Sequence, residues 1–308
     1  MKLLLVSDLH LMGRTPVSRK DNFPDTQYGK MEEINETAEA AGATVLQAGD
    51  FFDSFNPSFG LVRRYIDLLA TGDINCCNWE VILGQHDMYM WNLDSVDRTP
   101  LAVMESAGAV RIIRDKKSYS HKNTMIYGCS WGQEIPELDK NYDGCNILVI
   151  HRNIGDKALF PGHELISPKR FLNKFKGWDL VLCGDYHFPF EYKLGNSLII
   201  NTGVICRKSI VEKDVEPSVV LYDTDTGEHE WVKLACGDDV FRERGEVTGK
   251  TFVDDPSMLE FVEGIQLADT SEISFKANVL RVMERDVVPK EVKELAIDVL
   301  NNIKEHRK

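Results

Sequence analysis

Apolar runs of strand length recur along the first two thirds of the chain, and several of them are apolar at consecutive positions. The run Ile147-Leu148-Val149-Ile150 is typical. A strand without polar alternation is buried on both faces, as in sheets that are covered by other layers. The pattern therefore predicts buried strands over residues 2–7, 44–48, 80–83, 124–127, 146–150 and 180–183.

Helical patterns lie between several of these runs. Residues 28–41 are rich in Glu and Ala, and residues 61–70 place Leu61, Tyr65 and Leu68 on one face. This alternation of strands and helices favours an α/β sandwich.

From about residue 188 the predicted strands become short, over residues 191–193, 197–200, 218–223 and 229–234. Asp225-Thr226-Gly227 separates the last two and is a hairpin turn signal. We interpret this region as an antiparallel sheet edge that finishes the domain.

Beyond Cys236 the composition changes to a charged, glycine-containing stretch without periodicity. Helical spacing returns over residues 271–285, and again after Pro289, which suits a first helical position. The sequence therefore predicts a main domain over residues 1–235, a linker over 236–254 and a small helical C-terminal extension over 255–308. Two interpretations of that extension stand side by side: it packs onto the main domain, or it is a docking element for another protein.

Composition excludes several classes of protein. The chain has 308 residues and is 43% hydrophobic, enough for a full core, and it contains no apolar run of membrane-spanning length. Asp8 interrupts the first apolar run, so that run is interpreted as a strand and not as a targeting segment. Seven cysteines without a C-x-x-C pair indicate free thiols in a reducing compartment, and we expect a cytoplasmic protein without a cysteine zinc site.

The formal net charge of −13 disfavours binding to nucleic acid through bulk electrostatics. A nucleic-acid substrate stays open, because carboxylates that bind cations contribute to this number and a partner subunit can supply a basic groove.

Five polar motifs each follow a predicted strand. They are Asp8-Leu9-His10, Gly49-Asp50-Phe51-Phe52-Asp53, Gly84-Gln85-His86-Asp87, His151 and Gly184-Asp185-Tyr186-His187. Sheet geometry brings such strand ends to one edge, and alternate residues of an extended segment face the same way. Each motif alone is typical of an ordinary turn, but the five together favour a site for two divalent cations.

The residue types give each motif a chemical role. Asp50 is the carboxylate expected to bridge two cations, which would neutralise a phosphate and lower the pKa of a water. Gln85 offers an amide oxygen, His86 is the expected acid for the leaving oxygen, and Asp53 is expected to orient a catalytic group. Nitrogen and oxygen ligands without thiolate suit manganese, with magnesium, iron or zinc as alternatives.

This order of motifs resembles the calcineurin-like metallophosphoesterase family, whose pattern is D-x-H, G-D-x-x-D, G-N-H-D/E, a lone H and G-H-x-H. The resemblance covers roughly residues 1–235 and implies a four-layer αββα sandwich with two metals at one edge. His86 falls on the family's catalytic histidine. The implied ligands of one ion are Asp8, His10, Asp50 and His187, and those of the other are Asp50, Gln85, His151 and Asp185.

Two positions depart from the family pattern, and both belong to the second ion. Gln85 stands where the family has Asn, and Asp185 stands where it has the first His of G-H-x-H. The second site would then offer three oxygens and one nitrogen, which favours manganese or magnesium over zinc or copper. The alternative is a weaker site that fills only together with substrate.

Within the family the chain is most similar to the SbcD-type nuclease branch, through residues 2–11, the aromatic pair in Gly49–Asp53, and Ile200-Asn201-Thr202-Gly203 followed by Arg207. That resemblance implies a DNA exonuclease or endonuclease in repair, recombination or replication, acting by in-line attack of a metal-bridged hydroxide. It also implies an SbcC-type ATPase partner, docked on the C-terminal helices, and a homodimer. Two other hypotheses are a phosphodiesterase or phosphatase for a small nucleotide or phosphoprotein, and a partner-binding protein with a degenerate metal site.

Overall fold

Two six-stranded sheets form the centre of this computed structural model, which describes residues 1–70, 78–114, 118–121 (backbone only), 123–139, 141–158, 163–237 and 240–242. In spatial order the first sheet contains β12 (His229–Lys233), β11 (Ser218–Asp223), β1 (Lys2–Val6), β2 (Thr44–Gln47), β3 (Trp79–Val81) and β4 (Arg111–Ile112). The second contains β5 (Ser118–His121), β6 (Thr124–Cys129), β7 (Cys145–His151), β8 (Leu180–Gly184), β10 (Ser197–Asn201) and β9 (Phe190–Leu194). The strands that carry the polar motifs, β1–β3 and β7–β8, are parallel within each sheet.

Side chains on alternate positions of one strand reach two different cores. In β1, Leu3 and Leu5 pack with Ile147 and Leu180 of the second sheet, whereas Leu4 belongs to a separate cluster with helical residues. A third cluster covers the opposite face of the second sheet. The layers are therefore helix, sheet, sheet and helix, which confirms the predicted αββα sandwich.

In the part of the chain that the structure describes, four helices supply the outer layers: α1 (Phe23–Ala41), α2 (Phe59–Leu69), α3 (Pro100–Ser106) and α4 (Pro168–Lys174). The last three begin at the hydroxyl caps Ser58, Thr99 and Ser167, each of which accepts a backbone N–H of the first turn. The helix α1 ends at Gly42, whose φ of 62° lies in the left-handed region. It begins earlier than the predicted residue 28, because Pro24 is compatible with the first turn.

The prediction of one antiparallel edge after residue 188 was wrong. The hairpin β9–β10 extends the second sheet, where β10 lies parallel to β8, and the hairpin β11–β12 extends the first sheet next to β1. Hairpin pairing is local, but the sheet that a hairpin joins depends on distant partners. The turn predicted at residues 225–227 does connect β11 and β12.

The described residues belong to one compact unit, Met1–Arg244. Inside the predicted linker, Val240 and Arg242 form backbone hydrogen bonds of 3.0 and 2.9 Å with Lys20 and Ser18. The rest of the linker and the helical extension, residues 243–308, lie outside the described residues, so the boundary at residue 235 stays a prediction.

In the described part of the chain, the helices are too short or too polar to cross a membrane. In the same residues, five cysteines form no disulfide bond: Cys129, Cys145, Cys183, Cys206 and Cys236. Cys76 and Cys77 lie outside the described residues.

Candidate metal centre

The five motifs meet at one edge of the two sheets. The backbone N–H groups of Leu9 and His10 both donate to the carbonyl of Asp50, at 3.2 and 2.9 Å, and so join the first two motifs. The N–H of Asp185 donates to the Asp8 carboxylate at 3.0 Å, which joins the first motif to the last. These contacts bring residues far apart in sequence into one cluster.

Three backbone positions in this cluster are strained. His10, Asp50 and Asp185 have φ values of 45°, 52° and 82°, in the left-handed region that side chains other than glycine rarely adopt. Strained conformations of this kind persist where contacts with the surrounding structure enforce them, and they are common at functional sites.

Asp50 lies at the centre of the cluster. Its Oδ2 atom is 3.4 Å from Nε2 of His151, 3.7 Å from Nε2 of His10 and 3.9 Å from Nε2 of His86. Its other oxygen accepts the backbone N–H of His86 at 2.9 Å. One carboxylate oxygen therefore faces three imidazoles, as expected of a bridging ligand.

Groups that fit a cation recur on both sides of Asp50. Among the described residues, possible ligand atoms lie within 4.8 Å of one another in three sets, and each set joins carboxylates to histidines. The sets are Asp8, His10 and His187; His10, Asp50 and His86; and Asp8, Asp50 and His151.

Several buried ligand atoms at this edge have no hydrogen-bond partner within the described part of the chain. They are Nδ1 of His10, Oδ2 of Asp50, Oε1 of Gln85 and Nε2 of His151. Buried polar atoms are normally paired, because an unpaired one costs about 1–3 kcal/mol. Divalent cations would satisfy these lone pairs, so the residues present fit a two-metal centre with nitrogen and oxygen ligands.

On the side of Asp50 where Asp8, His10 and His187 lie, which we call the first side, the carboxylate of Glu212 orients His187. The sequence motifs did not reveal this residue. Nδ1 of His187 donates to Oε1 of Glu212 at 3.1 Å, and its Nε2 faces Nε2 of His10 at 3.1 Å. Burial raises the pKa of Glu212, but the hydrogen bonds from His187 and from the backbone of Ser209 hold that pKa below its usual value. Glu212 is therefore an ionised support that leaves Nε2 of His187 free for a cation.

On the other side of Asp50, where Gln85, His151 and Asp185 lie and which we call the second side, two of the predicted ligands are hydrogen-bonded to each other. The amide Nε2 of Gln85 donates to Oδ1 of Asp185 at 2.9 Å. The NH₂ of the amide is thus turned to Asp185, and its Oε1 is buried without a hydrogen-bond partner among the described residues. His151 is fixed separately, because its Nδ1 donates to the carbonyl of Ala48 at 2.6 Å.

Burial and charge shift the pKa values of the central groups. Burial raises the pKa of Asp8 to about 6. Burial also opposes ionisation of Asp50, but His151 and His10 hold its pKa well below the usual range. Burial lowers the pKa of His151, and Asp50 outweighs it and raises that pKa to about 10. A cation ligated at His151 takes the place of that proton, because ligation requires neutral imidazole.

His86 and Asp53 lie at the open side of the cluster. The His86 side chain is 42% exposed, and its Nδ1 donates to the backbone carbonyl of Asp53 at 2.8 Å. The carboxylate of Asp53 instead pairs with Nζ of Lys208 at 2.8 Å. Asp53 thus contacts His86 through its main chain, and the role predicted for its side chain stays a prediction.

Asp87 holds the loop that carries Gln85 and His86. Its carboxylate accepts the backbone N–H groups of Phe51, Phe52 and Gly84 at 3.2, 3.1 and 3.0 Å. Burial, followed by the nearby Asp50, raises the pKa of Asp87 to about 7.

Close backbone approach explains the glycines in two motifs. A Cβ atom on Gly84 would collide with Oδ1 of Asp50. Gly49 has a φ of 89°, and its Cβ would lie 2.5 Å from Nδ1 of His151. Both glycines let the chain pass directly beside the ligands.

Sequence reasoning missed Glu212 and Lys208, which follow no predicted strand. One local signal was present, because Ser209 and Glu212 match the S-x-x-E capping box and form it in the structure. That signal indicates a helical turn and does not reveal the contact with His187.

The sequence profile described as "Calcineurin-like phosphoesterase" matches residues 1–189. The chain belongs to this family. It is accordingly a metal-dependent phosphoric ester hydrolase.

One curated relative is the DNA double-strand break repair protein Mre11 of Methanosarcina mazei, 27% identical over 226 residues. The match covers 70% of this chain and 35% of that protein, so the chain spans about a third of the length of this relative.

Two solved structures are similar at low identity. A novel archaeal phosphodiesterase is 17% identical, with 76% of this chain and 100% of the other covered at a TM-score of 0.42. Vacuolar protein sorting 29 of Cryptosporidium parvum is 14% identical, with 75% and 95% covered at a TM-score of 0.34.

Proposed function

We propose that this calcineurin-like phosphoesterase is a two-metal phosphodiesterase that cleaves DNA, as an exonuclease or endonuclease in repair, recombination or replication. The observation that carries the proposal is the buried, unbonded Oδ2 of Asp50 among three imidazoles, with the exposed His86 beside it. Similarity to a DNA double-strand break repair protein supports DNA as the substrate.

The ligands divide between two ions that share Asp50. Asp8, His10 and His187 would complete the first, while Gln85, His151 and Asp185 would complete the second. Oxygen ligands predominate at the second position, which supports manganese there, with magnesium as the closest alternative. When bound, the ions supply charge neutralisation of the phosphate and a lowered pKa for the attacking water.

His86 is the residue best placed to protonate the leaving oxygen. Its Nδ1 hydrogen is committed to the carbonyl of Asp53, so Nε2 is the atom that faces the centre, 3.9 Å from Asp50. A proton on Nε2 can therefore pass to an ester oxygen that departs from the phosphorus.

The first test is an assay of the purified chain with manganese on single-stranded DNA, double-stranded DNA and a generic aryl phosphodiester. Cleavage of either DNA at a rate above that of the aryl ester is expected. Hydrolysis of the aryl ester alone would instead favour a small nucleotide or phosphoprotein substrate, a candidate that the net charge of −13 supports.

The second test concerns His86. The His86→Ala variant should lose about 10²- to 10⁴-fold in kcat, the usual contribution of a general acid, while elemental analysis finds both ions still bound. Full activity in this variant would refute the assigned role. Loss of an ion would instead make His86 a ligand.

An SbcC-type ATPase partner and a homodimer belong to the same proposal. The expected docking element is the helical extension over residues 255–308. Light scattering of the chain alone, followed by titration with such an ATPase, would measure both associations. Truncation at residue 254 should abolish the second association and leave phosphodiester hydrolysis intact.

A further inference from the structure

A cluster of exposed aromatic and apolar side chains borders the metal centre. Phe55, Tyr89, Met90 and Trp91 are 42%, 53%, 74% and 67% exposed. Phe55, Met90 and Trp91 line one cavity of about 360 Å³ whose wall also contains Gln85 and His86. Tyr89 contacts this wall through the ring of Phe55. The cavity therefore opens directly onto the residues assigned to catalysis.

The rings form two contacting pairs near this edge. Phe55 and Tyr89 meet edge to face with centroids 5.2 Å apart, and Trp91 lies 6.4 Å from Trp131. Trp131 lines a second cavity, together with His151 and Asp185. We call Phe55, Tyr89, Trp91 and Trp131 the aromatic row; its two cavities contain Gln85 and His86 in one wall and His151 and Asp185 in the other.

The backbone holds part of this row in an unfavourable conformation. Met90 and Trp91 have φ values of 49° and 59°, two successive left-handed residues without glycine. The loop around them is nevertheless anchored. Met88 and Ser95 are buried, and Oγ of Ser95 accepts the backbone N–H of Tyr89 at 3.1 Å. The protein thus presents exposed rings on a fixed loop, which lowers the entropic cost of binding a flat ligand.

We infer that the aromatic row is a stacking site for unpaired nucleobases next to the scissile phosphate. This inference rests on the proposed nuclease function and narrows its substrate to a single-stranded segment at the point of cleavage.

Three observations favour a nucleobase as the occupant. The cavity wall contains His86, so a base bound there can belong to the nucleotide next to the phosphate that is cleaved. A protein surface packed on the same rings would cover His86 and close the site. With a net charge of −13, the chain lacks bulk attraction for phosphates, whereas stacking on aromatic rings binds any base without charge.

The test compares two single-stranded oligonucleotides that each contain one cleavable linkage. In one the linkage is flanked by normal nucleotides, and in the other by abasic residues with the same backbone. The wild-type protein should cleave the abasic substrate with a kcat/KM about 5- to 150-fold lower, the range expected for losing one stacked base. Equal rates on the two substrates would overturn the inference, and this comparison requires no variant.

A double variant, Phe55→Leu with Trp91→Leu, keeps an apolar surface and removes the two rings that line the cavity. It should cleave the normal substrate at the rate of the abasic one and leave the abasic rate unchanged. Phe59→Leu is the matched control, because Phe59 is 94% exposed and does not line this cavity. Equal loss on both substrates would show that the rings support the fold or the ions and would contradict stacking.

Fluorescence supplies a readout that is independent of turnover. Binding of the normal oligonucleotide to the His86→Ala protein should quench tryptophan emission, and the abasic one should quench it much less. A change from dimer to monomer in the double variant, with an unaltered ratio of the two rates, would assign the row to a protein interface. If both oligonucleotides resist cleavage while an aryl phosphodiester is hydrolysed, the nuclease proposal fails together with the stacking inference. If the wild-type protein cleaves both oligonucleotides at equal rates, only the stacking inference fails.

Discussion

The two sides of the metal centre orient their ligands in different ways. His187 is held by Glu212, which lies outside the proposed ligand set and is itself fixed by backbone N–H groups. Gln85 and Asp185 hold each other, and both are proposed ligands of the same ion. The first side is therefore supported from outside, whereas the second side depends on its own members. Loss of Glu212 should therefore lower the affinity for the first ion only moderately. Loss of Gln85 or Asp185 should lower the affinity for the second ion more, because it removes a ligand and also the group that orients the other ligand.

The strongest test removes the residue that both sides share. Asp50→Asn should lower kcat by at least about 10³-fold and reduce occupancy at both positions, because the bridging charge and two metal bonds are lost. Kinetics and elemental analysis would measure this. Asp225→Asn is the control, since that carboxylate is exposed and pairs with the amino group of Met1. Loss of a single ion would show that Asp50 serves one side.

The next test asks whether Gln85 and Asp185 act as a unit. Gln85→Ala and Asp185→Ala should each weaken binding of the second ion by about 10- to 100-fold, because each change removes a ligand and the partner's orientation. The double variant should be little worse than the stronger single one, measured by metal titration calorimetry. Fully additive losses would mean that the two ligands are positioned independently.

Glu212→Gln tests the support on the first side. The amide cannot accept the Nδ1 hydrogen of His187 while it keeps both backbone contacts, so affinity for the first ion should fall about tenfold. The second ion should be unaffected. Glu191→Gln is a matched control, because Glu191 contacts His229 at 3.0 Å on an exposed surface away from the centre. An equal fall for both ions would contradict two separately supported sides.

The smallest expected effect is a change in which metal the second position prefers. Asp185→His restores the nitrogen ligand of the family pattern, so the second position should shift by about a few fold from manganese toward zinc. Competition between the two metals, followed by elemental analysis, would measure the ratio in wild-type and variant proteins. Identical occupancy and preference in both would refute the idea that Asp185 sets the metal.

The fold was largely readable in the sequence, because buried parallel strands leave continuous apolar runs such as residues 147–150. Short elements were missed. The helices α3 and α4 span only seven residues each, too few for a clear periodic pattern. The two late hairpins were recognised as strands but assigned to one sheet edge, since the choice of sheet depends on β1 and β8, far away in the chain.

The sequence predicted the proximity of site residues that follow strands. Asp8, Asp50 and His151 lie close together because parallel strand ends share an edge. The contacts that orient the predicted ligands could not be predicted in this way. Glu212 lies 25 residues beyond His187 in a short helical turn, and the Gln85 to Asp185 hydrogen bond joins positions 100 residues apart. Pattern and propensity are local, so they carry no information about such pairings.

The left-handed φ values at His10, Asp50 and Asp185 imply a trade-off between stability and activity. Glycine would relieve about 1–2 kcal/mol of strain at each position, and at each it would remove a side chain that is a proposed ligand of an ion. Selection for thermal stability alone would therefore favour losing the site. Any stabilised form of this protein has to gain its stability elsewhere, in the caps, the loops or the cores between the layers.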